Sequence, residues 1–96
     1  MDIEQLLSEK RGDIRAVAAR HGASNIRIFG SVVRGEAGPD SDIDFLVDVA
    51  PPASSWFPAG LILDLQEILG RRVDVVTEKA LNPYVRDYVL AEAVPL

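Results

Sequence analysis

The chain has 96 residues, nearly half of them hydrophobic, a formal net charge of −5 and no cysteine. That length and composition describe one small folded domain over residues 1–96, with no room for a second substrate-binding domain. Disulfides and zinc–thiolate sites are excluded, a single histidine rules out multi-histidine metal sites, and the acidic balance argues against an extended nucleic-acid surface.

No apolar run approaches the length of a membrane span, and the opening Met1-Asp2-Ile3-Glu4 is acidic where a secretory leader is basic, so a cytoplasmic protein is expected. Eight of the ten basic residues are arginines. Arginine grips phosphate with a planar fork, but composition alone does not give these that task.

Residues 2–21 carry Ile3, Leu6, Leu7, Ile14, Val17 and Ala18 at helical spacing. Gly12 interrupts the pattern and Asp13 is placed to cap a restart, which predicts a kinked helix or two short ones. Gly22 is the expected stop. His21 sits in the last turn, where an imidazole complements the helix dipole, and that reading is preferred to a catalytic one.

Ile26 to Phe29 read as a strand that Gly30-Ser31 breaks. A short VVRG segment and the turn EAGPDS follow, and Asp42 to Val49 form a second strand. Ile43, Phe45, Val47 and Val49 alternate with Asp42, Asp44, Leu46 and Asp48. Successive side chains leave a strand on opposite faces, so the apolar set faces a core while Asp42 and Asp44 emerge together on the other side. Adjacent carboxylates repel unless protonated or bridged by a cation, and Mg²⁺ takes oxygen ligands of this kind together with substrate phosphates. Asp48, further along that face, reads as a solvated surface residue.

PPASS, residues 51–55, reads as a loop. Phe57, Leu61, Leu65 and Ile68 then predict a helix capped by Ser54 or Ser55, with Pro58 in its first turn and Gly70 at its end. Trp56 and Phe57 are expected in the core rather than stacked on a base. VDVVT, residues 73–77, is a third strand interrupted by Asp74. A strand–helix–strand unit returns its second strand to the same sheet, parallel to the first, and a neighbouring strand 73–77 would bring Asp74 to the face of Asp42 and Asp44. Alone, Asp74 reads as an exposed residue of an edge strand. Asn82 and Pro83 open a last helix striped by Tyr84, Val85, Tyr88 and Val89, which the chain leaves by Pro95.

The run Gly30-Ser31, ten residues, then Asp42-x-Asp44, with Asp74 in a third strand, resembles the DNA polymerase β-like nucleotidyltransferases. FGSVVRGEAGPDSDIDFLVDV is most similar to their smallest members, the minimal nucleotidyltransferase (MNT) antitoxins that accompany HEPN-type toxins. The resemblance implies an α/β (α+β) fold: a small mixed sheet of three or four strands, with helices mainly on one face. It implies Asp42, Asp44 and Asp74 as catalytic, holding two Mg²⁺ ions (Mn²⁺ being the alternative). Gly30, Ser31 and Arg34 are implied as nucleotide-binding. Gly30 would let the chain pass close to phosphates, and Arg34 is as readily a partner of Glu36 or Asp40.

The implied reaction moves AMP from ATP to a hydroxyl, a tyrosine of the HEPN toxin with which the chain would form a hetero-oligomer. Two other classes stay open: an antitoxin acting by contact alone, and a nucleotidyltransferase that modifies a small molecule such as an antibiotic.

Overall fold

A computed structural model describes residues 2–51 and 56–96. The proposed caps Ser54 and Ser55 lie outside them. Helix α1 (Ile3–Arg20) opens on Asp2, whose carboxylate accepts from the Gln5 amide at 2.8 Å while the Gln5 side chain accepts from the Asp2 amide. This reciprocal cap satisfies two donors that a helix start leaves orphaned. The break predicted at Gly12 does not occur. Gly12 is exposed on the outer side of a continuous helix, where glycine costs about 1 kcal/mol relative to alanine. Burial of Leu7 before it and of Ile14, Val17 and Ala18 after it outweighs that cost, and Asp13 caps nothing.

Strand β1 (Ala23–Phe29) begins three residues earlier than its apolar run suggested, and α2 (Ser31–Arg34), β2 (Ile43–Val49), α3 (Ala59–Leu69) and β3 (Val73–Val76) follow. A 3-10 turn (Glu78–Ala80), α4 (Pro83–Glu92) and β4 (Val94–Pro95) complete the order. The sheet is mixed, with strand order β3-β2-β1-β4; β2 and β3 are parallel across the α3 crossover and the other two pairs are antiparallel. The open choice between three and four strands resolves to four. The fourth comes from the tail: Val94 and Pro95 pair with Ile28 and Arg27, and the Leu96 amide donates to the Ile26 carbonyl at 3.0 Å. A two-residue strand containing proline carries no recognisable pattern, yet it covers the outer edge of β1.

The core lies on one face of the sheet. Ile43, Phe45 and Val47 from β2 and Val73 and Val75 from β3 are buried against Leu7, Ile14 and Val17 of α1 and Leu61, Leu65 and Leu69 of α3. Strand alternation therefore delivers the predicted apolar set inward, with helices α1 and α3 laid over it. Leu46 is also fully buried but points the other way, level with Arg27 and Val76 in the ladder.

Two expectations about aromatic residues fail. Helix α3 starts at Ala59, so Trp56 precedes it and is 77% exposed, while Phe57 alone packs on the core. In α4, Asn82 caps the Tyr84 amide at 2.9 Å as expected, but the helix has no buried residue. Tyr84 is 88% and Tyr88 79% exposed, because among the described residues no other element covers the side they occupy.

Val47 is 1% exposed among these side chains. Val47→Asp places an unpaired charge there, and a loss of several kcal/mol is expected, enough to abolish cooperative unfolding. Circular dichroism during urea titration checks this; a transition like that of the unaltered protein would remove Val47 from the core.

Candidate active site

Asp44 and Asp74 are directly opposite one another in the parallel ladder of β2 and β3. Paired residues of adjacent strands project to the same side, and the burial of Val73 and Val75 with Ile43 and Phe45 fixes that side as the one away from the core. Asp42 precedes β2, two residues from Asp44. The topology thus brings the three carboxylates to one corner of the sheet, as the β2–α3–β3 reading required.

Their mutual influence is visible at Asp44. Burial first, then the charges of Asp74 and Asp42, raise its carboxyl from the usual 3.8 to about 6, with Arg34 opposing and Glu92 adding to the rise. Half-buried like charges of this kind favour a proton or a cation between them. The donors are all hard oxygens, which suits Mg²⁺, an ion that usually takes one or two carboxylates and completes its shell with water and substrate phosphates. Among the described residues no group of three acidic, histidine or cysteine side chains is arranged to hold a metal ion by itself. The donor set fits an open site that a phosphorylated ligand would finish.

Each outer carboxylate has a neighbour of its own. Asp42 pairs with the Arg72 guanidinium at 3.0 Å, and the Val75 amide donates to Asp74 at 3.0 Å. The preceding turn is pinned from β3's side: Arg71 donates to the carbonyls of Gly38 (2.7 Å) and Ser41 (3.1 Å), and Arg72 to that of Asp40. The arginine pair therefore fixes the loop that presents Asp42. Sequence reading passed over this role because the partners are thirty residues away.

Gly30 ends β1 with φ +82° and ψ −151°, a conformation open to glycine and not to side chains with a Cβ. An added Cβ would stand 2.1 Å from Asp44 Oδ2. The glycine was expected to make room for a phosphate; within this chain it makes room for the Asp44 carboxylate. Ser31 starts α2, and the Val33 and Arg34 amides bond back to the Gly30 carbonyl at 3.1 and 3.2 Å. Arg34 does pair with Glu36, at 3.2 Å, but its shorter bond is to Glu92 at 2.8 Å, and Asp40 is not its partner.

Glu92 is the functional candidate that sequence reading missed. Its other oxygen accepts from the Gly30 amide at 2.8 Å. Burial pushes its carboxyl up, but the bonds from Arg34 and Gly30 outweigh that and leave it below the usual range. A cleft of about 940 Å³ runs between this corner and α4, lined by Gly30, Arg34 and Asp44 on one side and Val85, Tyr88 and Glu92 on the other. Ser31, Asp42 and Asp74 do not line it.

The residues set aside lie elsewhere. His21 bonds Asp64 of α3 at 2.7 Å, a side-chain partner that the dipole argument did not include. Asp48 is not merely solvated: Arg27 (2.9 Å) and Asn25 (3.1 Å) both donate to it.

A strand-borne pair of carboxylates, a third on the parallel neighbour and a Gly-Ser turn beside them are oxygen and amide groups of the kind that phosphoryl transfer uses. The chain belongs to the nucleotidyltransferase domain family, which it matches over residues 13–96. It is 39% identical to the protein adenylyltransferase MntA of Thermococcus cleftensis over 93 residues, 97% of this chain and 91% of that one. A Methanocaldococcus jannaschii relative, named as a candidate protein adenylyltransferase, is 36% identical over 88 residues, 92% of this chain and 95% of its own. Among solved structures, a minimal nucleotidyltransferase superposes with a TM-score of 0.86 at 47% identity, covering 100% of this chain and 97% of that one. A toxin–antitoxin crystal structure with AMP-PNP shares the fold, with a TM-score of 0.73 at 22% identity over 88% of this chain and 69% of that one. The protein is a minimal nucleotidyltransferase.

Two substitutions test this geometry. Gly30→Ala should cost about 1–3 kcal/mol in denaturant unfolding, since it strains the backbone and drives Asp44 aside; a neutral result would contradict the close approach. Asp44→Asn should stabilise the metal-free protein at neutral pH. With its folded pKa near 6 and above the unfolded value, Asp44 favours the native state below about pH 4, and that advantage is lost as pH rises through 6. The stability gap between Asp44→Asn and the unaltered chain should therefore open from pH 4 to pH 7, to about 1–2 kcal/mol after allowance for solvent screening. Unfolding curves in EDTA measure it, and a gap that does not change with pH would contradict the repulsion.

Proposed function

We infer that residues 1–96 act as one catalytic unit that transfers AMP from ATP, with Mg²⁺, to a tyrosine hydroxyl of a HEPN-type toxin, in the cytoplasm. The chain would serve as that toxin's antitoxin. The observation that carries this is the in-register placement of Asp44 and Asp74 on one face, with Asp42 two residues away and the Gly30-Ser31 turn alongside. The strong likeness to the adenylyltransferase MntA supports the nucleotide and the protein acceptor.

In this reading Asp42 and Asp44 would hold the cation that accompanies the triphosphate, and Asp74 would join them in holding a second one toward the acceptor. Divalent cations bound there would supply charge neutralisation for the attacking and the departing oxygen. Ser31 offers its hydroxyl, and Gly30 and Arg34 their N–H groups, to the β- and γ-phosphates. The acceptor oxygen bonds to the α-phosphorus while the bridge to the β-phosphate breaks and pyrophosphate leaves. Asp74, assigned to the acceptor side in this reading, would take the hydroxyl proton.

A contact-only antitoxin is favoured by one observation, the uncovered side of α4 with Tyr84, Val85 and Tyr88. Incubation with ATP labelled at the α-phosphate, Mg²⁺ and a HEPN-type toxin encoded beside this protein separates the two. Label should appear on the toxin and fall at least about 100-fold with Asp42→Asn/Asp44→Asn or with Asp74→Asn. Neutralisation of the toxin that persists unlabelled in those variants would establish contact as the mechanism.

A further inference from the structure

Glu92 sits where an anion belongs. One carboxylate oxygen takes the Gly30 amide at 2.8 Å and the other takes Arg34 Nη1 at 2.8 Å, two of the three donors assigned above to the phosphates at the end of β1. Both bonds are charge-assisted, and together they grip the carboxylate as a fork grips a phosphate's two oxygens. The helix that carries it is held lightly: α4 has no buried residue, and its face beside the cleft ends in exposed Val85 and Tyr88.

We propose that Glu92 is an affinity-determining residue of the nucleotide site, an internal carboxylate that holds the phosphate subsite until a nucleotide's tail displaces it. This rests on the function inferred above and adds the competitor to it. A ligand must release Glu92 from two donors before using them, so the measured affinity is the intrinsic one reduced by the fraction of molecules in which the subsite is open. Weakly charged anions gain too little from Gly30 and Arg34 to displace it. A triphosphate carrying divalent cation would gain more, because Asp44 lines the same cleft and would attract its metal. When displaced, Glu92 moves with or on α4, whose few packing constraints permit it.

The alternative is a tether, with Glu92 serving only to tie the last turn of α4 to the sheet. The two roles predict opposite binding. Calorimetric titration of the full chain with the non-transferable α,β-methylene analogue of ATP and Mg²⁺ compares the unaltered protein with Glu92→Gln and Glu92→Asp. Gln keeps the shape but loses the charge that competes, and should tighten binding about tenfold, equivalent to 1.4 kcal/mol. Asp keeps the charge on a stem too short to span both donors and should give a smaller gain. Circular dichroism reports whether each variant is folded, and if Gln does not fold the Asp variant decides. Binding unchanged or weakened in the folded variants would overturn the proposal and leave the tether. Failure of every protein to bind the analogue, the unaltered one included, would overturn the nucleotide site itself, and the proposal with it.

Discussion

The parallel pairing of β2 with β3 is the constraint on which the rest of the structure depends. One register places Asp44 opposite Asp74, Ile43 opposite Val73 and Phe45 opposite Val75. The same alignment therefore builds the core on one face and concentrates negative charge on the other. A slip of β3 by one residue would turn Asp74 into the core and expose Val73 and Val75, so the burial of those valines beside Ile43 and Phe45 is what keeps Asp74 level with Asp44. The electrostatic penalty at Asp44 is thus held in place by packing energy from behind.

Around that pairing, the other elements hold parts of the corner in position. Asp44 occupies the space that Gly30 leaves by having no side chain, which ties the end of β1 to the middle of the acid cluster. Arg71 and Arg72 lead into β3 and grip the loop before β2, so the two strands that carry the carboxylates are coupled through backbone carbonyls as well as through the ladder. From the far side, Glu92 adds a fourth carboxylate near the cluster, tolerated because Arg34 and the Gly30 amide hold it. Arg72 accompanies Asp42, the Val75 amide Asp74, and Arg34 with the Gly30 amide Glu92.

Much of this was legible in the sequence, for physical reasons that differ by element. The alternation over Ile43 to Val49 and the interrupted run at Val73 to Val76 declare both strands, and the crossover rule then puts Asp74 beside Asp44. Caps were read correctly where side chain and proline agree, at Asn82-Pro83, and incorrectly at Gly12-Asp13, where tertiary burial overrides a local break. Apolar stripe did not guarantee burial: Tyr84 and Tyr88 lie at core spacing but are not covered by any of the described residues. The contacts of Glu92 with Gly30 and Arg34 span about sixty residues, and β4 borrows its order from β1, so neither leaves a local trace.

The central claim is that the acid corner binds divalent cation with a nucleotide's phosphates beside the Gly-Ser turn. Anomalous diffraction at the manganese edge, from crystals grown with Mn²⁺ and a non-transferable ATP analogue, tests it most directly. A peak is expected between the carboxylates of Asp44 and its neighbours Asp42 and Asp74, with the triphosphate reaching Gly30, Ser31 and Arg34. Nucleotide bound with its metal away from those aspartates would contradict it.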